Sequence, residues 1–237
     1  MKKTPKQYIE DYYESYASGE VDEETKIVGM FLVENATGRV LDCGCGPVSQ
    51  LWAIFMPKME ELHAIDLPLK SISFVKDKIA NIREWYQKFN LYQKVVEDKF
   101  GPLSEKYIIS QVANIKSVQQ ADMTKKLPFP PNYFDTVISL YSLGCLKNEK
   151  DLKKAILNIK KILKPGGKLL HINTNGENKN NVLPAYTWNG LSQASVLIEN
   201  TLKSEGFKNI QCEEIDLNSN PKGMYKYSAI SLLSATK

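Results

Sequence analysis

Apolar positions along the chain fall into two alternating regimes. Short, nearly continuous apolar runs alternate with longer segments in which apolar residues recur every third or fourth position. The first pattern predicts buried strands and the second predicts amphipathic helices. Strands are expected over 39–42, 61–66, 115–121, 134–140, 168–173, 210–217 and 225–236. Helices are expected over 5–17, 20–36, 49–56, 69–89, 149–163 and 192–206. Residues 134–140 (FDTVISL) are apolar nearly throughout, as a strand buried on both faces should be. In 149–163, Leu152, Ala155, Ile156, Ile159, Ile162 and Leu163 share one face. Strands alternating with helices predict a mostly parallel sheet covered on both sides, and the last two strands an added antiparallel pair.

Breakers and long connections refine the picture. Pro57 closes the 49–56 helix and Lys164-Pro-Gly-Gly167 closes the 149–163 helix. The 20–36 helix takes Val21, Ile27, Val28, Phe31 and Leu32 as its apolar set. Residues 90–114 exceed what a strand-to-strand connection needs and predict extra helices over 91–99 and 103–113. The 5–17 helix carries Tyr8, Tyr12 and Tyr16 on one face, with Tyr13 beside them. That stripe either packs the helix onto the domain or forms a lid whose hydroxyls reach a ligand. The polar run after Asn173 (NTNGENKNN) predicts a loop at the carboxyl end of a strand. The expected organisation is a single domain over 1–237, with a helical cap at 1–36 and a helical insertion at 84–114.

Residues 38–47 (GRVLDCGCGP) organise the rest. A strand ends there in a turn bearing Gly44 and Gly46, and a helix begins near Ser49. Glycine lets a ligand approach the backbone closely. A strand, a glycine turn and a helix start together build a nucleotide site at the carboxyl end of a parallel sheet. A dinucleotide fingerprint would need a third glycine where this chain has Ser49. Asp66 ends the second strand, 20 residues after Gly46, where a carboxylate can accept both ribose hydroxyls. The competing reading of Asp66 is a residue capping the next turn.

Composition narrows the class. The 237 residues are 43% hydrophobic, enough for a full core, and hold no run of about 18 apolar residues that would span a membrane. The first residues, MKKTPKQYIEDYYESY, lack the apolar centre of a signal peptide, so a cytoplasmic protein is expected. Cys43 and Cys45 have no second pair near them and the chain has two histidines, so reduced thiols are expected and no metal site. The net charge of +4 is spread over solvated helix faces, as at Lys153, Lys154, Lys160 and Lys161, which does not suggest nucleic acid.

Five signals, DCGCGP, Asp66, Asp122, FDTVISL and ILKPGGKLL, resemble in order the class I methyltransferases, which bind S-adenosylmethionine (SAM). Pro5 to Tyr13 (PKQYIEDYY), Gln50-Leu51 and ADMTKKLPF further resemble the nicotinamide, phenylethanolamine and indolethylamine (thioether) N-methyltransferases. The implied fold is Rossmann-like α/β, a seven-stranded mostly parallel sheet with helices on both faces and an N-terminal helical lid. The resemblance implies a cofactor site of Asp42, Gly44, Cys45 and Gly46 in the turn. It adds Tyr8 and Tyr13 on the methionine carboxylate, Asp66 on the ribose, Leu67 by the adenine and Ser71 as a polar nucleoside contact. Asp122 and Met123 match the pair at the adenine amine and ring, and Leu140 and Tyr141 match the strand end below the methyl group.

The implied activity is methyl transfer from SAM, leaving S-adenosylhomocysteine, to nitrogen or sulfur of a small aromatic or heteroaromatic acceptor. Tyr141, Asn173 and Trp188 are the expected acceptor residues, with Tyr186, Trp85 and Tyr86 as weaker candidates. The acids with which that family holds cationic amines are missing, replaced by Leu143-Gly144 and Asn173-Thr174. No base is evident: His63 and His171 lie within strands and read as buried, hydrogen-bonded residues. A nucleophile with a free lone pair is therefore favoured. O- or C-methylation stays open and would require a base. An NAD-dependent oxidoreductase and a protein of this fold that only binds a partner are the remaining rivals. Pro130 to Tyr133 precedes the fourth strand, so it does not match the N-P-P-Y of base-amino methyltransferases, and Cys145 reads as a packing residue. A monomer acting on a small molecule, without nucleic acid or membrane, is expected.

Overall fold

The computed structural model describes residues 4, 6–7, 23–83, 95, 97, 101, 104–175, 191–217 and 229–237. Helix α1 (Glu23–Asn35) leads into β1 (Thr37–Cys43). After the glycine turn, α2 (Ser49–Trp52) runs into a 3-10 turn (Ala53–Phe55) and then β2 (Lys58–Asp66). Helices α3 (Leu69–Ala80) and α4 (Glu105–Ala113) precede β3 (Ile115–Gln120). Then come β4 (Phe134–Leu140), a 3-10 turn (Leu143–Cys145), α5 (Glu149–Ile162), β5 (Leu163–Asn175), α6 (Leu191–Ser204), β6 (Lys208–Asp216) and β7 (Ala229–Thr236).

The seven strands lie in the order β3-β2-β1-β4-β5-β7-β6. Strands β1 to β5 pair in parallel, and β7 runs antiparallel to both β5 and β6. Successive side chains point to opposite faces of a sheet, and the core divides accordingly. On one face Val40, Leu62, Ile138, Leu170 and Ile172 meet Val28 and Leu32 of α1, Leu51 and Trp52 of α2 and Ile108 of α4. Ala64 and Val118 meet Ile72 and Val75 of α3 on that side. On the other face Leu41, Val137 and Leu169 meet Leu152, Ile156 and Ile159 of α5 and Ile198 and Leu202 of α6. The expected α/β sheet with helices on both faces is the observed one.

Several boundaries differ from the sequence reading. Strand β2 begins at Lys58 instead of Glu61, because Met59 pairs with Gly38 and extends the ladder. Strand β5 begins at Leu163, which pairs with Phe134 before a register break. Helix α3 closes at Ala80, short of the expected 89, where Asn81 Nδ2 donates to the Asp77 carbonyl at 3.1 Å. The expected 5–17 helix, the aromatic cluster of Trp85, Tyr86, Phe89 and Tyr92, and the loop with Tyr186 and Trp188 lie outside the described residues. Of the expected cap, α1 is integral to the core, with Val28 and Leu32 fully buried. Of the expected insertion, α4 is fixed to the 3-10 turn by Tyr107 Oη, which donates to the Ile54 carbonyl at 3.1 Å. No helix among the described residues is long and apolar enough to cross a membrane.

Candidate active site

The strand order reverses direction between β1 and β4, the place where an open α/β sheet leaves a crevice at its carboxyl edge. An open cleft lies there, lined by Asp42, Gly44, Cys45, Gly46, Val48, Trp52, Leu140 and Tyr141. Gly44 takes φ +81° and Gly46 φ +55°, the left-handed region that glycine enters without strain. The Gly44 and Cys45 amides both donate to the Ile65 carbonyl, at 2.8 and 3.0 Å, which folds the turn over the end of β2. A Cβ on Gly44 would stand 2.3 Å from Ser142 Cβ. A Cβ on Gly46 would enter open space, with Val48 Cγ2 the nearest atom at 4.0 Å. The turn is thus closed on its protein side and bare on its open side, a cradle that fits a bound nucleoside.

Asp42 sits at the floor of this cradle, 1% exposed. The Ser49 hydroxyl donates to its Oδ2 at 2.6 Å. Burial pushes the Asp42 carboxyl up to about 7, the Ser49 bond pulls the other way, and the neighbouring Asp66 adds to the rise. Cys43 and Cys45 are buried, and their thiols are pushed up by that burial and by Asp42 and Asp66. Ser49, which the sequence placed at a helix start, serves Asp42 instead of capping α2.

Asp66 closes the β2 side. Its carboxyl accepts from the Leu67 amide at 2.7 Å and from the Gly46 amide. Burial raises its pKa against those two amides. Leu67 is 59% exposed at the rim, and Ser71 stands one turn into α3. Both bonds that Asp122 accepts from Thr124, from the amide at 2.8 Å and the hydroxyl at 2.7 Å, fall on Oδ1 and hold its pKa down. Met123 Cε lies 3.1 Å from the position of a Cβ on Gly44, so its side chain reaches the turn.

On the β4 side, Leu140 is buried and Tyr141 takes φ +62°, unusual for a residue with a side chain. The Tyr141 hydroxyl donates to Glu24 Oε1 of α1 at 2.5 Å. Glu24 had no motif to announce it; its place depends on a contact across 117 residues. Asn173, expected in the acceptor site, is seated elsewhere. It is buried on the α6 face of the sheet, where its Nδ2 donates to Ser195 Oγ at 3.4 Å. Its Oδ1 crowds Gly144, 2.5 Å from where a Cβ would be. His171 lies on that same face, its Nδ1 2.8 Å from the Ser139 carbonyl, and burial lowers its pKa to about 4. His63 pairs with Ser117 at 2.8 Å among Phe129, Tyr133 and Phe134, two residues before Ile65 on β2. Tyr8, Tyr13 and Trp188 lie outside the described residues.

Residues 41–171, more than half of the chain, match the family model of the methyltransferase domain. A ubiquinone/menaquinone biosynthesis C-methyltransferase UbiE from Vibrio parahaemolyticus is 33% identical over 96 residues, which span 39% of this chain and 35% of the relative. The match thus spans about a third of that relative's own length. A SAM-dependent methyltransferase from Aquifex aeolicus superposes with a TM-score of 0.62 at 15% identity, covering 99% of both chains. The N-methyltransferase NodS from Bradyrhizobium japonicum, solved with S-adenosylhomocysteine, gives 0.57 at 14% identity and 99% of both chains. At those identities the two structures speak to the fold alone. UbiE is named a C-methyltransferase, so the narrower resemblance to the nicotinamide and phenylethanolamine N-methyltransferases is not what this relative carries. A glycine cradle floored by Asp42, the reversal of strand order beside it and the family match over both converge: the chain belongs to the methyltransferase domain family.

Proposed function

We propose that the chain methylates a small aromatic or heteroaromatic acceptor in the cleft between the glycine turn and Tyr141. One observation carries this reading: the cleft brings the cradle residues Asp42, Gly44, Cys45 and Gly46 against Leu140 and Tyr141 from the neighbouring strand end. In this reading Asp66 takes the ribose hydroxyls, Leu67 and Met123 flank the adenine, Asp122 takes its amine, and Ser71 makes a polar contact to the nucleoside. Tyr8 and Tyr13 hold the methionine carboxylate, and Trp188 covers the acceptor.

SAM supplies a methyl group already activated on a sulfonium. The residues of the chain then have to orient, exclude water and manage any proton. Orientation of two reactants in line is worth about 7–11 kcal/mol. The Gly44 and Gly46 backbone fixes the donor's position over β1, and Tyr141, held by its backbone at the end of β4, fixes the acceptor's side. Nitrogen or sulfur is the receiving atom favoured by the sequence, in which no base is evident. The C-methyltransferase name of the UbiE relative favours a second reading, transfer to a ring carbon.

Calorimetric titration with S-adenosylhomocysteine, with NAD as control, is the test. Micromolar binding of the first alone supports the reading and opens a turnover screen of pyridines, amines, thiols and phenols. No binding of S-adenosylhomocysteine would leave the cradle a structural turn and sink it.

A further inference from the structure

Methylation at carbon or oxygen requires a base, and the sequence shows none. The structure brings an acid to the acceptor side of the cleft. Glu24 stands in the first turn of α1, half-buried, and its Oε1 accepts from Tyr141 Oη at 2.5 Å. Tyr141 lines the cleft with the cradle residues. Its φ of +62° is a conformation that costs about 1–3 kcal/mol in a residue other than glycine. Two bonds hold it there: the Tyr141 amide donates to the Ile172 carbonyl at 2.8 Å, and Cys145 Sγ donates to the Tyr141 carbonyl at 3.1 Å. Strained backbone at a strand end, on a tyrosine that lines the cleft and whose phenol donates to a carboxylate, has the geometry of a positioned proton acceptor.

The other described titratable groups near this edge are engaged elsewhere. Asp42 is buried under the Ser49 hydroxyl. Asp66 accepts two backbone amides on the β2 side. Asp122 is tied to Thr124. His171 is on the opposite face of the sheet. Only the phenol and carboxylate of Tyr141 and Glu24 meet, among the described residues, on the side where an acceptor would enter.

We propose that Tyr141 and Glu24 form a proton relay for an acceptor bearing an ionisable hydroxyl: a phenol, an enol or a hydroquinone. The relay rests on the methyl-transfer reading and names its substrate class. The acceptor's O–H proton passes to Tyr141 Oη as Oη passes its own proton to the Glu24 carboxylate. The electron pair released on the acceptor, at oxygen or at a ring carbon activated by it, forms the new bond to the methyl carbon. The carbon–sulfur bond of the donor breaks and its pair stays on sulfur. The products are the methylated acceptor, neutral S-adenosylhomocysteine and a protonated Glu24, which returns its proton to solvent. A pyridine-type nitrogen would have no use for this pair.

The probe is 4-nitrophenol, coloured as the phenolate and colourless as the phenol. It is titrated into the S-adenosylhomocysteine complex of the wild type, Tyr141→Phe and Glu24→Gln, at a pH below its own pKa. The wild type is expected to develop the phenolate band on binding, and both variants to show it reduced about tenfold. S-adenosylhomocysteine affinity of Glu24→Gln, measured in parallel by calorimetry, should stay within about threefold. Methyl transfer to 1-naphthol should fall by about 10²-fold or more in Glu24→Gln, the usual contribution of a positioned base. The relay is overturned if the wild type gives no phenolate band, if all three proteins give the same band, or if Glu24→Gln loses S-adenosylhomocysteine binding along with the band. A wild type that binds no S-adenosylhomocysteine defeats the methyl-transfer reading itself; binding without the band defeats only the relay.

Discussion

The Ser49 hydroxyl donates to Asp42 Oδ2 at 2.6 Å and ties the start of α2 to the end of β1. Because Asp42 is 1% exposed, that single bond does not offset the cost of burying its charge, and the carboxyl titrates near 7 instead of 3.8. Between those values the folded chain holds a proton that the unfolded chain has released. Stability from this group therefore falls as pH rises from about 4 to about 7, by about 4 kcal/mol at about 1.4 kcal/mol per unit. Asp42→Asn should remove that slope. Thermal unfolding across a pH series checks it, and a profile unchanged from wild type would mean that Asp42 is charged in the fold.

His171 acts in the opposite sense. Burial lowers it from 6.5 to about 4, so the unfolded chain binds the extra proton in that window. Its contribution is present above 6.5 and lost as pH falls through about 4, roughly 3 kcal/mol in all. In the wild type the two slopes offset each other between about 4 and 6.5. Asp42→Asn should uncover a melting temperature that rises with pH there, and His171→Gln one that falls. The difference between the two variants' profiles is the quantity to read, because other carboxylates are common to both.

Gly44 and Ser142 are packed so that a Cβ on the first would meet the second at 2.3 Å. Gly44→Ala should destabilise by roughly 1–3 kcal/mol through overpacking and its positive φ, and should abolish S-adenosylhomocysteine binding. Ser142→Gly removes the obstructing Cβ, though it also loses the hydroxyl that donates to the Cys43 carbonyl at 2.6 Å. In a double-mutant cycle the pair should couple favourably by about 1 kcal/mol. Strictly additive losses would place the cost wholly in the backbone.

Leu67 is 59% exposed at the rim, where apolar surface has no structural use. Leu67→Ser should leave unfolding within about 0.5 kcal/mol of wild type. It should weaken S-adenosylhomocysteine binding by about 1–2 kcal/mol, the worth of covering one apolar side chain. Equal calorimetric affinities would take Leu67 out of the site.

The strands and α5 were legible because burial on both faces writes itself as apolar runs, and burial on one face as a helical repeat. The cradle was legible because DCGCGP is contiguous. What the sequence hid is set by register and distance. Leu163 pairs with Phe134 five residues before the expected start of β5, so the Pro-Gly-Gly segment lies inside the strand as a register break, with Gly166 at φ +79°. Asn81 stops α3 by a side-chain bond to Asp77, a weaker signal than glycine or proline. Asn173 stands at the right strand end but on the alternate face, and alternation at a strand end carries no mark in the residue type. Glu24 meets Tyr141 only through the tertiary fold.

Strands β1, β2 and β3 carry the glycine cradle, and β4, β5, β7 and β6 form the other half of the sheet. The two halves meet along a seam of three paired positions, Val40 with Thr136, Leu41 with Val137 and Asp42 with Ile138. Change on one bank of that seam is tolerated by the other where it spares the contact of Ser142 with Gly44 and the Cys43 carbonyl. A lineage could trade one acceptor for another by rewriting Tyr141, Gly144 and their neighbours while inheriting the donor's half intact, so the seam marks where such enzymes diverge in diet and stay alike in fuel.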